Sequence, residues 1–543
     1  MLLNVFCNFV ASKNQNEIFN KTFLFILNKR IINLMRRNTI KWLKLLAVIV
    51  GTVMFAACSS DDDMLPEQTD KNTPITSNTP APGVNVTPVL PQKDFRAVWM
   101  STVYQLDWPN TVGWNEGTVN KQKAHYTSYL DKLQELNINA VMFQVRPMAD
   151  AFYDSPYEPW SKYVSSRRGK KPAWDPLPWL ISETHKRGIQ FHAWINPYRI
   201  ATRSSASAKF PTLESTIPAE WVKDYNTVRV YNPALPEVRQ RIADIVADLL
   251  HKFDIDGIHF DDYFYPSLTS GESMNDNAEY QQYGHGEGLA NFRRANVDAM
   301  ITKVQETIRM IRPNCLFSVS PQGNYDNDYY TMYCDVKKWS QTGMIDVLIP
   351  QIYWSTQTYF GPRLKQFADF CTKSHFMVGY GLYRFDGTSS DPYYQTNADL
   401  KKQLDIAYAN SKVKGGIFFS AKWMLSNPVK TNEVIKEKYN TLVLPPYLGV
   451  APMVQPAAPQ NVKADGLKVS WDEVSDCYYA VYRSNPDDNT ATLVQITYDT
   501  TVNVPVKGNY FVTAVTKGLN AESNISNFVN CDTETSGIHH VTM

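Results

Sequence analysis

Two adjacent carboxylates, Asp261 and Asp262, stand where a short apolar run meets an aromatic loop. The local sequence is Asp256-Gly257-Ile258-His259-Phe260-Asp261-Asp262-Tyr263-Phe264-Tyr265-Pro266. Alternate side chains of a β-strand share a face, so His259 and Asp261 are predicted to point one way, and Ile258 and Phe260 the other. A lone Asp here would most simply cap the next loop. Two carboxylates among aromatic rings favour a site for acid and base chemistry, and glycoside hydrolysis ordinarily needs such a pair.

The roles of the pair follow from charge. Asp261 is predicted to be the ionised partner, because His259 on the same face and Arg146 on a neighbouring strand could hold it charged. The protonated partner is left open among Asp262 and four loop carboxylates: Asp107, Asp150, Glu158 and Glu272. A separation of about 5–5.5 Å between the two carboxyl groups would mean retention of configuration, and about 6.5–9.5 Å inversion.

Eight β-like apolar runs, most of them followed by a helix-like stretch, position these residues. The runs are 96–103, 139–145, 189–195, 257–261, 315–320, 345–352, 376–382 and 415–420. Apolar residues repeat at helical spacing over 126–136 and 236–253. Strand and helix alternation predicts a parallel sheet, and eight repeats fit an α/β fold of the (β/α)8 TIM-barrel type. An open doubly wound sheet is the alternative.

The ends of the predicted strands carry amides, charges and aromatic rings. Planar polar groups can hydrogen-bond the hydroxyls of a sugar while rings cover its CH faces, so a polysaccharide is the predicted ligand. Arg146 could instead neutralise Asp150, and Asn196 could cap the loop before Pro197. The residues predicted to bind substrate are Gln144, Arg146, Asp150, Asn196, Tyr198, Arg199, His259, Tyr263, Gln351, Tyr353, Trp354 and Tyr383.

Several other chemistries lack their signatures. No G-x-G-x-x-G turn, H-E-x-x-H ligand spacing or G-x-S-x-G elbow occurs, so no cofactor, no metal and no acyl-transfer site is predicted. Lys plus Arg (54) nearly balances Asp plus Glu (53), which gives a formal charge of +1 and no reason to expect nucleic-acid binding.

The amino-terminal region is predicted to be a secretory signal. Met35 is followed by basic residues, an apolar run over 45–57 and then Cys58. Ala56-Ala57-Cys58 resembles a bacterial lipobox, although Phe55 is unusual there. The resemblance implies that Cys58 is lipidated and anchors the protein to a membrane of the cell envelope, by expectation the outer membrane, on either face. Residues 1–34 are interpreted as a misread start within the signal region 1–58.

The mature chain divides into three further parts. Residues 59–93 are rich in Pro, Thr and Asn and are predicted to be a disordered tether, whose acidic start at 61–63 resembles a surface-export signal. The barrel is predicted over 94–446. Short alternating strands over 456–532 resemble a fibronectin type III module, and 533–543 form a tail.

Blocks spread in order over residues 94–445 resemble the glycosyl hydrolase-like 10 family of bacterial envelope proteins. The blocks are Phe95-Arg96-Ala97-Val98-Trp99, Phe143-Gln144-Val145-Arg146-Pro147, Ala149-Asp150-Ala151-Phe152-Tyr153, Glu158-Pro159-Trp160-Ser161, Ala193-Trp194-Ile195-Asn196-Pro197-Tyr198-Arg199, Tyr231-Asn232-Pro233, Pro236-Glu237-Val238-Arg239 and 259–266. The resemblance implies a TIM-type barrel and a glycosidase, with some relatives acting on peptidoglycan glycan strands stripped of peptides. Asp261 and Asp262 fall on the family's His-Phe-Asp-Asp-Tyr block.

There are three competing hypotheses: chitinase chemistry, a glycan-binding protein without catalysis, and a scaffold. Family 18 chitinases end their fourth strand with D-G-x-D-x-D-x-E, but His259 and Tyr263 stand here at the inner Asp and the terminal acid, so that chemistry is disfavoured. The same mismatch supports a glycan-binding lipoprotein without catalysis. A scaffold that docks a partner is weaker, because it does not explain a polar barrel rim.

Overall fold

The computed structural model describes residues 87–532. The predicted signal region, the predicted lipidation site Cys58, most of the predicted tether and the predicted tail lie outside the described residues. Within 87–532, no helix combines the length and the hydropathy needed to cross a membrane.

Eighteen strands are present in the described part of the chain. In chain order they are β1 (Phe95–Met100), β2 (Ala140–Arg146), β3 (Gln190–Ile195), β4 (Arg199–Thr202), β5 (Val222–Asp224), β6 (Val228–Tyr231), β7 (Gly257–Phe260), β8 (Leu316–Val319), β9 (Val347–Leu348), β10 (His375–Gly381), β11 (Val413–Phe419), β12 (Lys463–Asp465), β13 (Lys468–Ser470), β14 (Cys477–Asn485), β15 (Thr490–Thr497), β16 (Thr501–Asn503), β17 (Gly508–Thr516) and β18 (Val529–Cys531).

The α-helices of residues 87–532 alternate with the first eleven strands. They are α1 (Glu116–Glu135), α2 (Lys162–Ser165), α3 (Pro176–His185), α4 (Pro236–Lys252), α5 (Asn277–Tyr283), α6 (Leu289–Ile311), α7 (Tyr325–Tyr330), α8 (Val336–Thr342), α9 (Phe360–Phe370), α10 (Ala398–Tyr408), α11 (Ala421–Ser426) and α12 (Thr431–Lys438). Helix α1 begins ten residues before the predicted 126–136, because Asn115 caps its polar first turns by accepting a hydrogen bond from the backbone N–H of Thr118.

Eight parallel strands close into a barrel in the order β1-β2-β3-β7-β8-β9-β10-β11, and β11 pairs with β1. The prediction of a (β/α)8 barrel is confirmed, and the open sheet is excluded by the closing pair of strands. Each of the eight predicted runs overlaps one barrel strand, with ends that differ by a few residues. The carboxyl ends of all eight strands therefore meet at one face of the barrel.

Side chains of β7 divide between two cores, as the alternation predicts. Ile258 and Phe260 pack in the outer core between the strands and the helices. His259 points into the barrel, where its ring contacts Trp99 and Ser318. The barrel interior is otherwise filled by apolar side chains, namely Phe95, Ala97, Trp99, Ala140, Met142, Trp194, Leu316, Val347, Ile349, Met377 and Ile417.

The carboxy-terminal region forms two antiparallel sheets, which confirms the prediction of an all-β module after the barrel. One sheet has the order β12-β13-β16 and the other β15-β14-β17-β18. Their shared core includes Val469, Trp471 and Val512.

The turn that follows β17 closes the floor of the barrel. Leu519 packs beside Leu448 against the barrel interior, and its carbonyl oxygen accepts a hydrogen bond from the backbone N–H of Leu448 at 2.9 Å. Asn520 accepts a hydrogen bond from Gln190, the first residue of β3. The all-β module is therefore seated at the amino ends of the strands, opposite the face where their carboxyl ends meet.

Gly518 is expected to be essential for this seating. Its φ is +75°, and a Cβ there would collide with the carbonyl oxygens of Asn314 and Asp256. Gly518→Ala should lower the free energy of unfolding by about 3 kcal/mol, since steric overpacking adds to the cost of the left-handed backbone. Gly466→Ala is the matched control, with a φ of +57° and no atom within 3.7 Å, and should cost about 1 kcal/mol. Denaturant unfolding followed by tryptophan fluorescence measures both, and equal losses would contradict the floor contact.

Candidate active site

A cavity of 440 Å³ opens at the carboxyl ends of the barrel strands. Its lining residues are Trp99, Ser101, Val103, Tyr104, Leu106, Gln144, Trp194, Arg199, Asp261, Asp262, Tyr263, Ser320, Gln351, Tyr353, Tyr383 and Phe419. Asp261 and Asp262 are the two carboxylates of this lining. Aromatic rings and planar polar groups make up most of the rest, which suits a ligand rich in hydroxyl groups.

Asp261 is held in one orientation at the end of β7. Its Oδ2 accepts hydrogen bonds from Trp194 Nε1 at 3.0 Å and from Asn196 Nδ2 at 3.1 Å, and Asn196 Nδ2 also lies 3.1 Å from Oδ1. The side chain is 2% exposed. Burial, with the adjacent charge of Asp262, raises the pKa of Asp261 to about 7, although Arg199 and the two donors act in the opposite direction.

Asp262 faces the same cavity and is partly exposed. Its Oδ1 accepts a hydrogen bond from Gln351 Nε2 at 3.2 Å. Burial raises the pKa of this carboxyl too. The two neighbouring carboxyl groups titrate as a pair, so the raised pKa belongs to the pair and not to one of its members. Their mutual repulsion favours the state in which one carboxyl group is protonated and the other ionised. One protonated and one ionised carboxyl is the state that acid and base chemistry requires.

His259 does not hold Asp261 charged, contrary to the prediction. The donor-only Trp99 Nε1 lies 2.9 Å from His259 Nε2, so this nitrogen accepts and the proton resides on Nδ1, 2.8 Å from Ser318 Oγ. Burial lowers the pKa of His259 to about 3, so the ring is neutral. It is completely buried below the cavity and does not reach a substrate.

Arg146 is also placed differently from its predicted role. Its guanidinium forms a buried two-pronged ion pair with Glu158, with Nε 2.6 Å from Oε2, and donates to the backbone oxygen of Asn196. Arg146 therefore neither binds substrate in the cavity nor supports the charge of Asp261, and Glu158 is not free to act as the acid. Asn196 is buried as well, and its Oδ1 accepts a hydrogen bond from the backbone of Arg199.

Three further residues predicted to bind substrate lie away from the cavity. Asp150 is buried and accepts a hydrogen bond from the backbone N–H of Met148. Tyr198 is fully buried in the outer core. Trp354 packs beneath the guanidinium of Arg363, 4.0 Å from its ring centroid. In each case the chain turns after the strand end and directs the side chain outward from the barrel mouth.

The remaining acid candidates are occupied elsewhere. Asp107 is buried and accepts hydrogen bonds from Ser101, Ser420 and Lys422, which ties the chain after β1 to the chain after β11. Glu272 accepts from the backbone of Asn226 in a surface loop. Neither residue lines the cavity. Among the proposed partners of Asp261, Asp262 is thus the one that shares its cavity.

The other predicted residues line the cavity wall: Gln144, Arg199, Tyr263, Gln351, Tyr353 and Tyr383. The guanidinium of Arg199 is 4.5 Å from the ring centroid of Tyr263, and its Nε and Nη2 donate to the carbonyl oxygen of Pro147. Arg199 is the single cation of the lining and lowers the pKa of both carboxyl groups.

Sequence reasoning missed Trp99, Trp194, Tyr104 and Phe419. Trp194 pairs in register with His259 across β3 and β7, and its side chain therefore shares the inward face of His259. That register is not readable from a single sequence before the barrel is closed. Tyr104 lies in a turn after β1, where no periodicity predicts a direction.

The chain is similar to several known proteins. The sequence model of the glycosyl hydrolase-like 10 family matches residues 94–392. The chain is 32% identical to glycosyl hydrolase YngK of Bacillus subtilis (strain 168), over 80% of this chain and 92% of that protein. It is also 32% identical to glycosyl hydrolase DigH of Escherichia coli (strain K12), over 67% and 92%. The glycoside hydrolase domain of PgaB (BpsB) from Bordetella bronchiseptica has a TM-score of 0.45 at 10% identity, covering 65% of this chain and 99% of that domain.

The pKa of Asp261 predicts a pH-dependent effect on stability. Because Asp261 and Asp262 titrate as a pair, the value of about 7 describes the pair, and it lies above the ordinary 3.8. The folded state therefore binds more protons between these values and loses stability as the pH rises from about 4 to about 7. Asp261→Asn removes that loss. The difference in the free energy of unfolding, variant minus unmutated protein, should therefore be more favourable to the variant at pH 8 than at pH 4 by on the order of 2–4 kcal/mol.

Denaturant titrations across this pH range measure the difference. Asp369→Asn, which removes an exposed carboxyl of α9 remote from the cavity, controls for the loss of a charge. A difference between Asp261→Asn and the unmutated protein that stays constant from pH 4 to pH 8 would show that the folded carboxyl titrates as an ordinary one.

Proposed function

Since the chain belongs to the glycosyl hydrolase-like 10 family, we propose that it is a glycoside hydrolase that cleaves a polysaccharide at the Asp261–Asp262 pair. One observation carries this proposal: two adjacent carboxyl groups, both with a raised pKa, face an aromatic cavity at the end of a TIM barrel where such enzymes place their catalytic groups. The other acidic residues considered for the acid are bound to neighbouring protein groups outside that cavity.

The hydrogen bonds assign a role to each carboxyl group. Trp194 Nε1 and Asn196 Nδ2 can only donate, so they stabilise the ionised form of Asp261. We therefore assign the proton of the pair to Asp262, whose pKa is raised as well. Because Asp262 is partly exposed, it can deliver this proton to the oxygen of the leaving sugar. Asp261 then acts on the sugar carbon, as nucleophile or as base toward water. The glycosidic C–O bond breaks, and the leaving oxygen takes the proton of Asp262.

Peptidoglycan glycan strands are the proposed substrate class. The resemblance that carries the barrel motifs implies such substrates for some relatives, and the proposed position in the cell envelope brings the protein to them. Both hydrogens of Gln351 Nε2 are bound to Asp262 and to the backbone of Ser320, so Gln351 can accept from sugar hydroxyls through Oε1, while Arg199 can donate to them. Tyr353, Tyr383 and Phe419 offer ring faces for the CH surfaces.

Separate substitutions test the two roles. On peptide-free peptidoglycan strands, Asp261→Asn and Asp262→Asn should each lower kcat at least about 1,000-fold, measured as released reducing ends. On an aryl glycoside whose phenolate leaves without protonation, Asp262→Asn should recover most of the loss, and Asp261→Asn should not. Asp369→Asn should match the unmutated protein on both substrates.

Other results would redirect the assignment. Recovery by Asp261→Asn in place of Asp262→Asn would exchange the two roles. Binding of glycan strands without turnover of any substrate would replace the hydrolase with the glycan-binding lipoprotein.

A lipid anchor at Cys58 and a location at the outer membrane complete the proposal. The basic residues after Met35, the apolar run and Ala56-Ala57-Cys58 support it. Cys58→Ser should move the protein from the membrane pellet to the soluble fraction and abolish incorporation of labelled palmitate, because the acyl chains provide the anchoring. Cys7→Ser, upstream of Met35, should change neither. Retention of Cys58→Ser in the pellet would contradict lipid anchoring.

The carboxy-terminal sheets are proposed to be a fibronectin type III-like module. The arrangement of three and four antiparallel strands supports this assignment, and superposition on such modules checks it strand by strand.

A further inference from the structure

Tyr104 stands at the mouth of the cavity on a turn with an unusual backbone. It and Gln105 are consecutive non-glycine residues with φ of 55°, in the left-handed region that L-residues seldom adopt. The side chain is 63% exposed, so burial of the ring does not offset this backbone cost. Such strain persists where the surrounding structure imposes it, and it is most often found at functional sites.

The surrounding structure does impose it. Gln144 Oε1 accepts three hydrogen bonds from the chain before Tyr104, including those from the backbone N–H groups of Thr102 at 3.1 Å and Val103 at 2.9 Å. After Tyr104, the carboxylate of Asp107 binds the backbone N–H of Ser101 at 2.7 Å and so joins the two ends of the turn. With both ends fixed, the apex is forced outward over the cavity.

The ring of Tyr104 is fixed as well. Its hydroxyl group lies 2.6 Å from Thr202 Oγ1 on β4, and its edge meets the ring of Tyr163 at a centroid distance of 5.9 Å. These partners follow β3 and β2, so Tyr104 leans over the sector of β1, β2 and β3. A rigid, exposed aromatic face is thereby presented to the cavity.

A second aromatic group lines the same cavity from other strands. Tyr353 and Phe419 stack at a centroid distance of 6.0 Å and an angle of 25°, and Tyr383 meets Phe419 edge-on at 6.0 Å. These residues belong to the sector of β9, β10 and β11. In the circular strand order, β7 with its carboxylates and β8 lie between the two sectors on one side, and β11 pairs with β1 on the other.

We infer that Tyr104 is the platform of a second sugar subsite, so that a glycan chain lies across the carboxylate pair with sugars stacked on both aromatic groups. This inference rests on the proposed function and deepens it. The substrate class that it names is an internal segment of an extended chain, cut between two occupied subsites. A ligand held on one side only would leave the face of Tyr104 in water.

Binding as a function of chain length tests the platform. The full chain carrying Asp261→Asn, which prevents cutting, is titrated calorimetrically with peptide-free peptidoglycan fragments of two, four and six sugars. Affinity should rise at least about tenfold from two to six sugars, which corresponds to about 1.4 kcal/mol. Adding Tyr104→Ala should remove most of that rise, and Tyr104→Phe, which keeps the ring, should preserve most of it.

Tyr330→Ala is the matched control, since Tyr330 is 66% exposed on α7 and does not line the cavity. It should leave the rise intact. The platform is refuted if Tyr104→Ala retains the full rise, if Tyr330→Ala loses it equally, or if the fragments bind equally or not at all at every length. If the unmutated protein turns over the strands but Tyr104→Ala keeps the full rise in affinity with length, the hydrolase proposal survives and the platform does not. If Tyr104→Ala loses the rise but the unmutated protein shows no turnover, the platform survives and the hydrolase proposal does not.

Discussion

The site depends on one constraint: a carboxylate, Asp261, is buried beside a second carboxylate and must still be able to ionise. Burial and like charge both oppose ionisation, and without donors the group would remain neutral. The barrel supplies the donors Trp194 and Asn196 from the end of the adjacent strand β3. Because Trp194 pairs in register with His259, it projects inward at the level that meets the carboxylate.

The other buried polar groups near the site are arranged so that they do not disturb this balance. Arg146, which the sequence suggested as the cation that supports the charge of Asp261, is paired with Glu158. A buried ion pair of this kind is costly to break, because the remaining charge would be left without a partner. Arg146 also donates a hydrogen bond to the backbone oxygen of Asn196, which satisfies a further N–H of its guanidinium. His259 adds no charge, because Trp99 and Ser318 fix it as a neutral ring. Arg199 is then the cation of the cavity wall that lowers the pKa of both carboxyl groups.

Sequence periodicity predicted the barrel well because both of its signals are local. The strands are apolar runs, and α4 repeats its apolar residues at helical spacing from Pro236 onward. The inward direction of Asp261 could be predicted for the same reason, since it follows from the alternation of β7. The same alternation points the adjacent Asp262 away, so its place in the cavity wall could not be predicted in this way. The directions of Arg146, Tyr198 and Trp354 could not, because each lies where the chain leaves its strand and tertiary contacts decide the orientation. Trp194 and Tyr104 required the register between strands and the constraints on a turn, which are non-local.

The contacts that stabilise the barrel and the residues that form the cavity lie at opposite ends of the barrel. At the floor, Leu519 and Leu448 extend the inner core and Asn520 binds Gln190, so apolar burial and satisfied polar groups close the amino ends of the strands. At the mouth, exposed rings and a left-handed turn lower stability without making a core. A barrel whose floor is stabilised by a second module can tolerate that loss of stability. The contacts that offset the cost of the cavity therefore lie at the opposite end of the barrel.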